Sequence, residues 1–423
     1  MTEDSFGNPI DPIVGFARGS IITSSTEEGL RLRHGQTIAA ERAGRLGRES
    51  IAVFTGNQRD YPVRAQDLNT LCEEWVGPGL FAAQLRAAGL AHLGGRKDDE
   101  VAVFNRTSAA IIATIVAIAR DARVVSVVPS AGRPHASVMH GARMAGATLI
   151  HASVDGDWKK QIEARRPALV LLTTVTSGLE RIADSDIQDV VAYAREHGAA
   201  TLLDEAFGAR LRTALHAGAP SLVLGSDLTV TNCDKAGLSG PRAGLLAGRA
   251  ELVARVSAVG ACFGMEARAP IAVGALRSLE GYSPERLCEQ ARVGQELAAA
   301  LAERYPAGIV HPTDLGPSIH EDDILRDVLG RARVPADQAP VVPCEAGAAL
   351  GALLLRDHGI LTVSTHAQPD AGAALRLKPT AEAIRRVGGI PAVVEAVLSV
   401  SRKLAAVITD RDAVAALILG DAA

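Results

Sequence analysis

Short β-branched runs alternate with alanine-rich stretches over residues 101–232, and this alternation is the main constraint on the fold. The predicted strands are Val101–Phe104, Arg123–Val128, Ala147–His151, Ala168–Thr174, Ala200–Asp204 and Leu228–Asn232. The predicted helices between them include Ser108–Arg120, Ser137–Ala145 and Asp184–His197. Strands that alternate with such helices form βαβ units, and parallel strands buried on both faces are continuously apolar. The pattern therefore predicts an α/β fold with a mostly parallel central sheet.

Composition shifts divide the chain into three expected segments. Residues 1–70 are polar, arginine-rich and turn-rich, which indicates an N-terminal arm or subdomain. Residues 71–304 form the expected large domain, which ends with a helix predicted over Pro284–Glu303. Residues 305–423 form a smaller C-terminal α+β domain, with strand–helix–strand predicted for VVPCEAGAALGALLLRDHGILTV, a short strand at LRLKP and a helix over Ile390–Val407.

Composition argues against two classes of partner. The 423 residues carry a net charge of −4 and only 3% aromatic side chains, whereas a dedicated nucleic-acid binder has basic patches and stacking aromatics. No apolar run reaches the roughly 18 residues of a membrane helix, and the polar N-terminus does not resemble a signal peptide. The five cysteines are scattered without a CxxC pair, as expected of reduced thiols. We therefore expect a cytoplasmic protein.

Two charged residues stand where α/β sheets build their sites. Asp204 ends the apolar run ATLLD, and Lys235 follows the strand Leu228–Asn232 and precedes a glycine-rich stretch. A partly desolvated lysine can form a Schiff base. Asp204 could instead cap a helix or form a structural ion pair, and Lys235 could be an exposed loop lysine.

Two further loops could contribute to the same site. In FNRTSAA (104–110), Thr107 and Ser108 open a helix, where free backbone amides could bind phosphate. His135 lies in a Pro/Gly loop, where its ring could lie on an aromatic cofactor and move a proton. Ordinary helix capping, or a surface position for the histidine, would also explain these residues.

The order of these elements is more informative than any one of them. A phosphate loop, a stacking histidine, a strand-end aspartate and then a lysine form the layout of fold-type-I enzymes that use pyridoxal phosphate (PLP). The lysine holds the cofactor aldehyde, the aspartate keeps the pyridine nitrogen protonated, and the helix N-terminus holds the phosphate. The sequence thus predicts PLP as the cofactor, and no metal site.

The segment TVTNCDKAGLSGPRAGLLAGRAELV, which begins at Thr229, resembles the L-seryl-tRNA selenium transferase-like PLP proteins, particularly their selenium-transferase-related homologues. The resemblance covers residues 90–410 and implies the fold-type-I PLP-dependent transferase fold. It implies Lys235 as the Schiff-base lysine and Asp204 as the pyridinium partner. Thr107, Ser108 and Asn232 are then expected near the phosphate, and His135 on the ring.

The resemblance also implies substrate contacts and an oligomer. Arg376 is expected to bind the substrate carboxylate, and Arg242 either binds a substrate anion or packs its loop. Many relatives have histidine where Phe207 stands, so a contact to the cofactor ring oxygen must come from elsewhere. A homodimer or higher homo-oligomer is expected, with residues 52–64 near a site.

Three functions are open on the sequence alone. The favoured one is a lyase on a small free amino acid, by retro-aldol cleavage of the Cα–Cβ bond or by elimination of a side-chain substituent. The alternatives are a transferase, either an aminotransferase or a selenium-transferase-like enzyme, and a PLP-binding protein without catalysis. The acidic net charge argues against seryl-tRNA as substrate.

Overall fold

The structure is a computed structural model that describes residues 3–57, 60–70, 76–130, 132–366 and 372–420. Its helices are α1 (Ser25–Leu46), α2 (Ala82–Leu93), α3 (Thr107–Ile118), α4 (Ala136–Ala145), α5 (Trp158–Arg165), α6 (Asp184–Glu196), α7 (Gly208–Leu215), α8 (Ala250–Cys262), α9 (Ala269–Glu280), α10 (Pro284–Ala302), α11 (Glu321–Ala332), α12 (Pro343–His358), α13 (Val363–His366), α14 (Ala381–Val387), α15 (Ile390–Val407) and α16 (Arg411–Leu419). Its strands are β1 (Ala52–Val53), β2 (Asp99–Phe104), β3 (Arg123–Val128), β4 (Thr148–Ser153), β5 (Leu169–Thr173), β6 (Ala200–Asp204), β7 (Leu228–Asn232), β8 (Gly244–Arg249), β9 (His311–Thr313), β10 (Gly316–Ile319), β11 (Ile360–Leu361) and β12 (Leu375–Arg376).

The chain forms two compact units. One unit contains residues 57–288, and the other contains residues 1–56 together with residues 289–423. Residues 1–56 thus belong to the same unit as the C-terminal segment, although the sequence composition suggested two separate segments. Its limits at residues 56 and 289 do not coincide with the boundaries expected at residues 70 and 304.

A seven-stranded sheet organises the unit of residues 57–288, in the order β2-β8-β7-β6-β5-β3-β4. Strands β7, β6, β5, β3 and β4 are parallel. Strand β8 is antiparallel to both β2 and β7, so β2 runs in the same direction as the parallel strands. The carboxyl ends of these six strands lie at one edge, and the α/β fold with a mostly parallel sheet is confirmed.

Helices cover both faces of this sheet. Leu169 and Leu171 of β5 share a core with α3, α4 and α8, whereas Val170 and Leu172 share a core with α5 and α6. Successive side chains of a strand point to opposite faces, so a central strand covered on both faces is mostly apolar or β-branched. This double coverage explains why the apolar runs were recognisable as strands.

Strand β8 was not predicted, because its sequence GLLAGR lies in a glycine-rich stretch. The glycine is required by a close backbone approach: a Cβ at Gly244 would lie 2.6 Å from the carbonyl oxygen of Arg106. Gly244 therefore lets β8 pass directly beneath the first turn of α3.

The other unit contains the antiparallel sheet β12-β10-β9 and the parallel pair β1-β11. The sequence analysis predicted no helix in residues 1–70, whereas α1 spans 22 residues and is capped by the Ser24 side chain. Its buried positions include Glu28 and Arg31, so it lacks the apolar stripe that identifies a helix.

Two sequence expectations concern the environment of the whole chain. Within the described ranges, no helix is long and apolar enough to cross a membrane. Cys233, Cys262, Cys288 and Cys344 are free thiols, and Cys72 lies outside the described residues.

Replacing Gly244 by alanine should destabilise the protein by about 1–3 kcal/mol, the usual effect of overpacking. The new methyl group collides with the backbone of Arg106 and Thr107, neither of which can move aside as a side chain does. Chemical unfolding measures the change. Gly330→Ala is the matched control, because no atom lies within 4 Å of its added Cβ; equal behaviour of the two variants would contradict the prediction.

Candidate active site

A cavity opens at the carboxyl edge of the seven-stranded sheet. Its walls come largely from the ends of β2, β3, β5, β6 and β7 and the loops that follow them, as the chain direction of a parallel sheet requires. Six of the predicted site residues line it: Thr107, Ser108, His135, Asp204, Lys235 and Arg242. The structure thus brings together residues that are up to 135 positions apart in the sequence.

Asp204 is the last residue of β6 and is only 3% exposed. Burial raises the pKa of its carboxyl group to about 6, although a hydrogen bond from the Ala206 amide and the positive charge of Lys235 oppose the rise. The Ala206 nitrogen lies 3.3 Å from the Asp204 Oδ1. A buried carboxylate in this state gains from a cationic hydrogen-bond donor inside the cavity.

Lys235 lies three residues beyond β7, and its backbone forms an antiparallel bridge with Asn57. Asn57 belongs to the 52–64 segment that was expected near a site; residues 58 and 59 of that segment lie outside the described residues. The Lys235 Nζ lies 5.0 Å from the centre of the Phe207 ring, which is within the range of a cation–π contact. The face of the Phe207 ring therefore stabilises the positive charge of the Lys235 side chain.

Helix α3 begins at Thr107, and within the described part of the chain no side chain caps its N-terminus. The alternative that Thr107 or Ser108 caps α3 is therefore not observed. The first amides of a helix have no partner in the helix itself, and those of α3 lie where Thr107 and Ser108 line the cavity. This arrangement suits an anion such as phosphate.

His135 both lines the cavity and caps the next helix. Its Nδ1 accepts a hydrogen bond from the Ser137 amide at 3.2 Å, at the start of α4. Removal of the ring from water, together with the positive charges of Lys235 and nearby arginines, lowers the pKa of His135 to about 4. The ring is neutral near pH 7, and its one proton is on Nε2 because Nδ1 is an acceptor.

Two predicted residues do not line the cavity. The Asn232 side chain accepts a hydrogen bond from Arg210 at 2.9 Å and donates one to the Ala206 carbonyl at 2.6 Å. Arg376 lies on β12, opposite Ser318, in the unit that contains residues 289–423. Their roles toward phosphate and substrate stay predictions.

Three charged residues that the sequence analysis did not single out also line the cavity: Arg106, Arg133 and Asp234. Arg106 immediately precedes the predicted helix, and Asp234 immediately precedes the predicted lysine. In the sequence, only their position beside a predicted site residue could have indicated a place in the cavity. That signal is weak, because charged residues in loops are usually exposed to solvent.

The donor set of the cavity fits PLP. Asp204 could hold the ring nitrogen, the N-terminus of α3 with Thr107 and Ser108 could hold the phosphate, and Lys235 could hold the aldehyde carbon. The neutral ring of His135 offers a flat surface against which the cofactor ring could pack.

The pKa of His135 has a measurable consequence for stability. Between pH 6.5 and about 4 the unfolded chain binds a proton that the folded ring does not, so the free energy of unfolding falls as the pH falls through this range. In cofactor-free protein, His135→Asn should reduce this slope by up to one proton, or about 1.4 kcal/mol per pH unit. The asparagine can still cap α4. Unfolding at several pH values measures the slope, and an unchanged slope contradicts the prediction.

No family model matches the chain. Its fold is similar to that of histidinol-phosphate aminotransferase from Sinorhizobium meliloti, whose structure contains PLP. The TM-score is 0.56 at 17% identity, with 85% of this chain and 94% of that chain covered. This similarity confirms the fold-type-I architecture.

Two curated relatives are informative. A UPF0425 pyridoxal phosphate-dependent protein of Methanothermobacter thermautotrophicus is 32% identical over 400 residues, which is 95% of this chain and 100% of the relative. A probable aminotransferase of Mycobacterium tuberculosis is 31% identical over 192 residues, or 43% of this chain and 44% of that protein. These names do not test the resemblance to selenium transferases, which stays a prediction. They confirm PLP as the cofactor, and the chain belongs to the UPF0425 pyridoxal phosphate-dependent proteins.

Proposed function

We propose that this PLP-dependent protein is an aminotransferase-like enzyme that acts on a small free amino acid, with Lys235 as the proton carrier. The observation that carries the proposal is the hydrogen bond from the Ser137 amide to the Nδ1 of His135. This bond and the lowered pKa make His135 a weak base, and they favour the Lys235 amine as the proton carrier in the cavity.

The residues around the cavity have separate tasks in this proposal. When bound, PLP withdraws electrons from the Cα of an attached amino acid. Asp204 holds the proton of the ring nitrogen, and the N-terminus of α3 holds the phosphate. Arg242 lines the cavity and could bind the substrate carboxylate, as could Arg376.

Lys235 performs the proton transfer. Its Nζ could take the proton from the substrate Cα and deliver it, on the same face, to the aldehyde-derived carbon of the cofactor, which is separated from Cα by the amino nitrogen. Transfer of the amino group also requires water, which releases the 2-oxo acid, and an acceptor 2-oxo acid that takes up the amino group by the reverse sequence. The similarity to a probable aminotransferase over 43% of the chain supports the same reaction class.

The lyase hypothesis divides into two cases. Retro-aldol cleavage requires a base at the β-hydroxyl group, and either His135 or Lys235 could serve. The hydrogen bond from the Ser137 amide to Nδ1 and the lowered pKa make His135 a weak base for this step. Elimination of a side-chain substituent is the second candidate function, because Lys235 alone could take the Cα proton.

We also propose a homodimer or higher oligomer in the cytoplasm, with no nucleic-acid or membrane partner. The net charge of −4 supports the absence of a nucleic-acid partner.

Holoprotein mixed with a panel of small amino acids and a 2-oxo acid acceptor should form a new amino acid from the acceptor. Mass spectrometry of the products separates the classes. Ammonia with a 2-oxo acid indicates elimination, and glycine with an aldehyde indicates retro-aldol cleavage; either result refutes the aminotransferase proposal. No product and no spectral change with any amino acid would favour a binding protein without catalysis.

Lys235→Ala should abolish turnover and the visible absorbance of the lysine-bound cofactor, because alanine has no amine to join the aldehyde. The absorbance spectrum and product formation measure the two effects. Lys403→Ala is the control, since this lysine is 53% exposed and bonds only to Asp357 on the surface of the other unit. Retained turnover in Lys235→Ala would refute the assignment of the site.

A further inference from the structure

Helix α7 carries two buried arginines with contrasting partners. Arg210 and Arg212 are both 0% exposed. Arg212 forms ion pairs with Glu205 at 2.8 Å and with Asp184 at 2.7 Å. Arg210 donates instead to neutral acceptors: the Thr231 Oγ1 at 2.9 Å, the Asn232 Oδ1 at 2.9 Å and the Ala206 carbonyl at 3.1 Å.

The burial of Arg210 needs an explanation. Removing a guanidinium from water costs several kcal/mol unless a carboxylate and hydrogen bonds compensate it, and here burial lowers the pKa of the group. Among the described residues, no carboxylate lies within ion-pair distance of Arg210. Burying a cation among neutral acceptors costs more free energy than packing an apolar side chain at the same place. We therefore infer that the directional hydrogen bonds of Arg210 have a role beyond packing of the helix.

The hydrogen bonds of Arg210 lie just beyond the last paired residues of strands β6 and β7. The β6–β7 ladder closes at the pair of Asp204 with Val230. Beyond this pair, Thr231 donates to the Glu205 carbonyl and Asn232 to the Ala206 carbonyl. Arg210 adds hydrogen bonds to Thr231 and Asn232 on the β7 side and to Ala206 on the β6 side. Ala206 lies two residues after Asp204, and Asn232 lies three residues before Lys235. Arg210 thus joins the two backbone segments from which the aspartate and the lysine project.

A histidine lies beside the same guanidinium nitrogen that donates to Thr231. The His92 Nε2 lies 3.4 Å from the Arg210 Nη1, and the His92 ring packs edge-on against Tyr282 with 5.0 Å between ring centres. Burial and the charge of Arg210 lower the pKa of His92 to about 3, so the ring is neutral and its Nε2 can accept. Arg210 is therefore held through both of its Nη atoms.

We propose that Arg210 is a positioning residue that sets the separation of Lys235 and Asp204 in the cavity by clamping the ends of β6 and β7. The proposal rests on the assignment of these two residues to the cofactor. Arg212, two positions along the same helix, donates to Glu205 and Asp184 and, among the described contacts, to neither Thr231 nor Asn232, so it serves as the comparison.

The test compares holoproteins of Arg210→Gln, Arg210→Lys and the matched control Arg212→Gln. The circular dichroism of the visible cofactor band, divided by the cofactor bound, reports how rigidly the cofactor is oriented; thermal unfolding reports stability. Arg210→Gln should lose at least half of the band amplitude, and Arg210→Lys should retain more of it. Arg212→Gln should lower the unfolding midpoint, because it leaves two carboxylates without a cation, while keeping the full band.

Two results would overturn the proposal: an unchanged band in Arg210→Gln, or equal losses of band in Arg210→Gln and Arg212→Gln. If Arg210→Gln does not fold, Thr231→Val serves instead, since it removes one acceptor of Arg210, together with the hydrogen bond from Thr231 to the Glu205 carbonyl, without changing side-chain volume. An unchanged band in Thr231→Val then overturns the proposal. The band is recorded before substrate is added, so this result is independent of which reaction the enzyme catalyses.

Discussion

Ionised groups at the carboxyl edge of the sheet are withdrawn from water, and the arrangement around them follows from that constraint. Asp204 and Glu205 are adjacent and both buried. Adjacent side chains at the end of a strand point in opposite directions, so one carboxylate faces the cavity and the other faces Arg212. The first is left for a ligand, while the second is compensated within the protein. Asp204 is thus available for binding a ligand, whereas Glu205 contributes to the packing of the core.

Strands buried on both faces were predictable, because double burial favours short runs of apolar and β-branched residues. Ala200–Asp204 and Leu228–Asn232 match β6 and β7 residue for residue. Strand β8 was missed because Gly244 is selected by a close approach to Arg106 rather than by strand propensity. Helix α1 was missed because its buried face includes Glu28 and Arg31.

The candidate site was predictable where a residue type follows directly from the chemistry. Lys235 and Asp204 meet because the ends of neighbouring parallel strands meet. A sequence pattern does not show which further hydrogen bonds a side chain forms in the folded protein. Asn232 is bonded to Arg210 and Ala206, and His135 caps α4, so each side chain makes a contact that the sequence analysis did not assign to it. Those local bonds depend on three-dimensional contacts that a sequence pattern does not contain.

The helix that would hold the phosphate is itself part of the core. Ala110, Ala113 and Ile115 of α3 are fully buried against the sheet and α8. The amides at its start are therefore ordered by folding, before any cofactor arrives. A preorganised site of this kind loses little conformational entropy on binding. We therefore expect the cofactor-free protein to bind the cofactor at a preformed site, without a coupled folding transition.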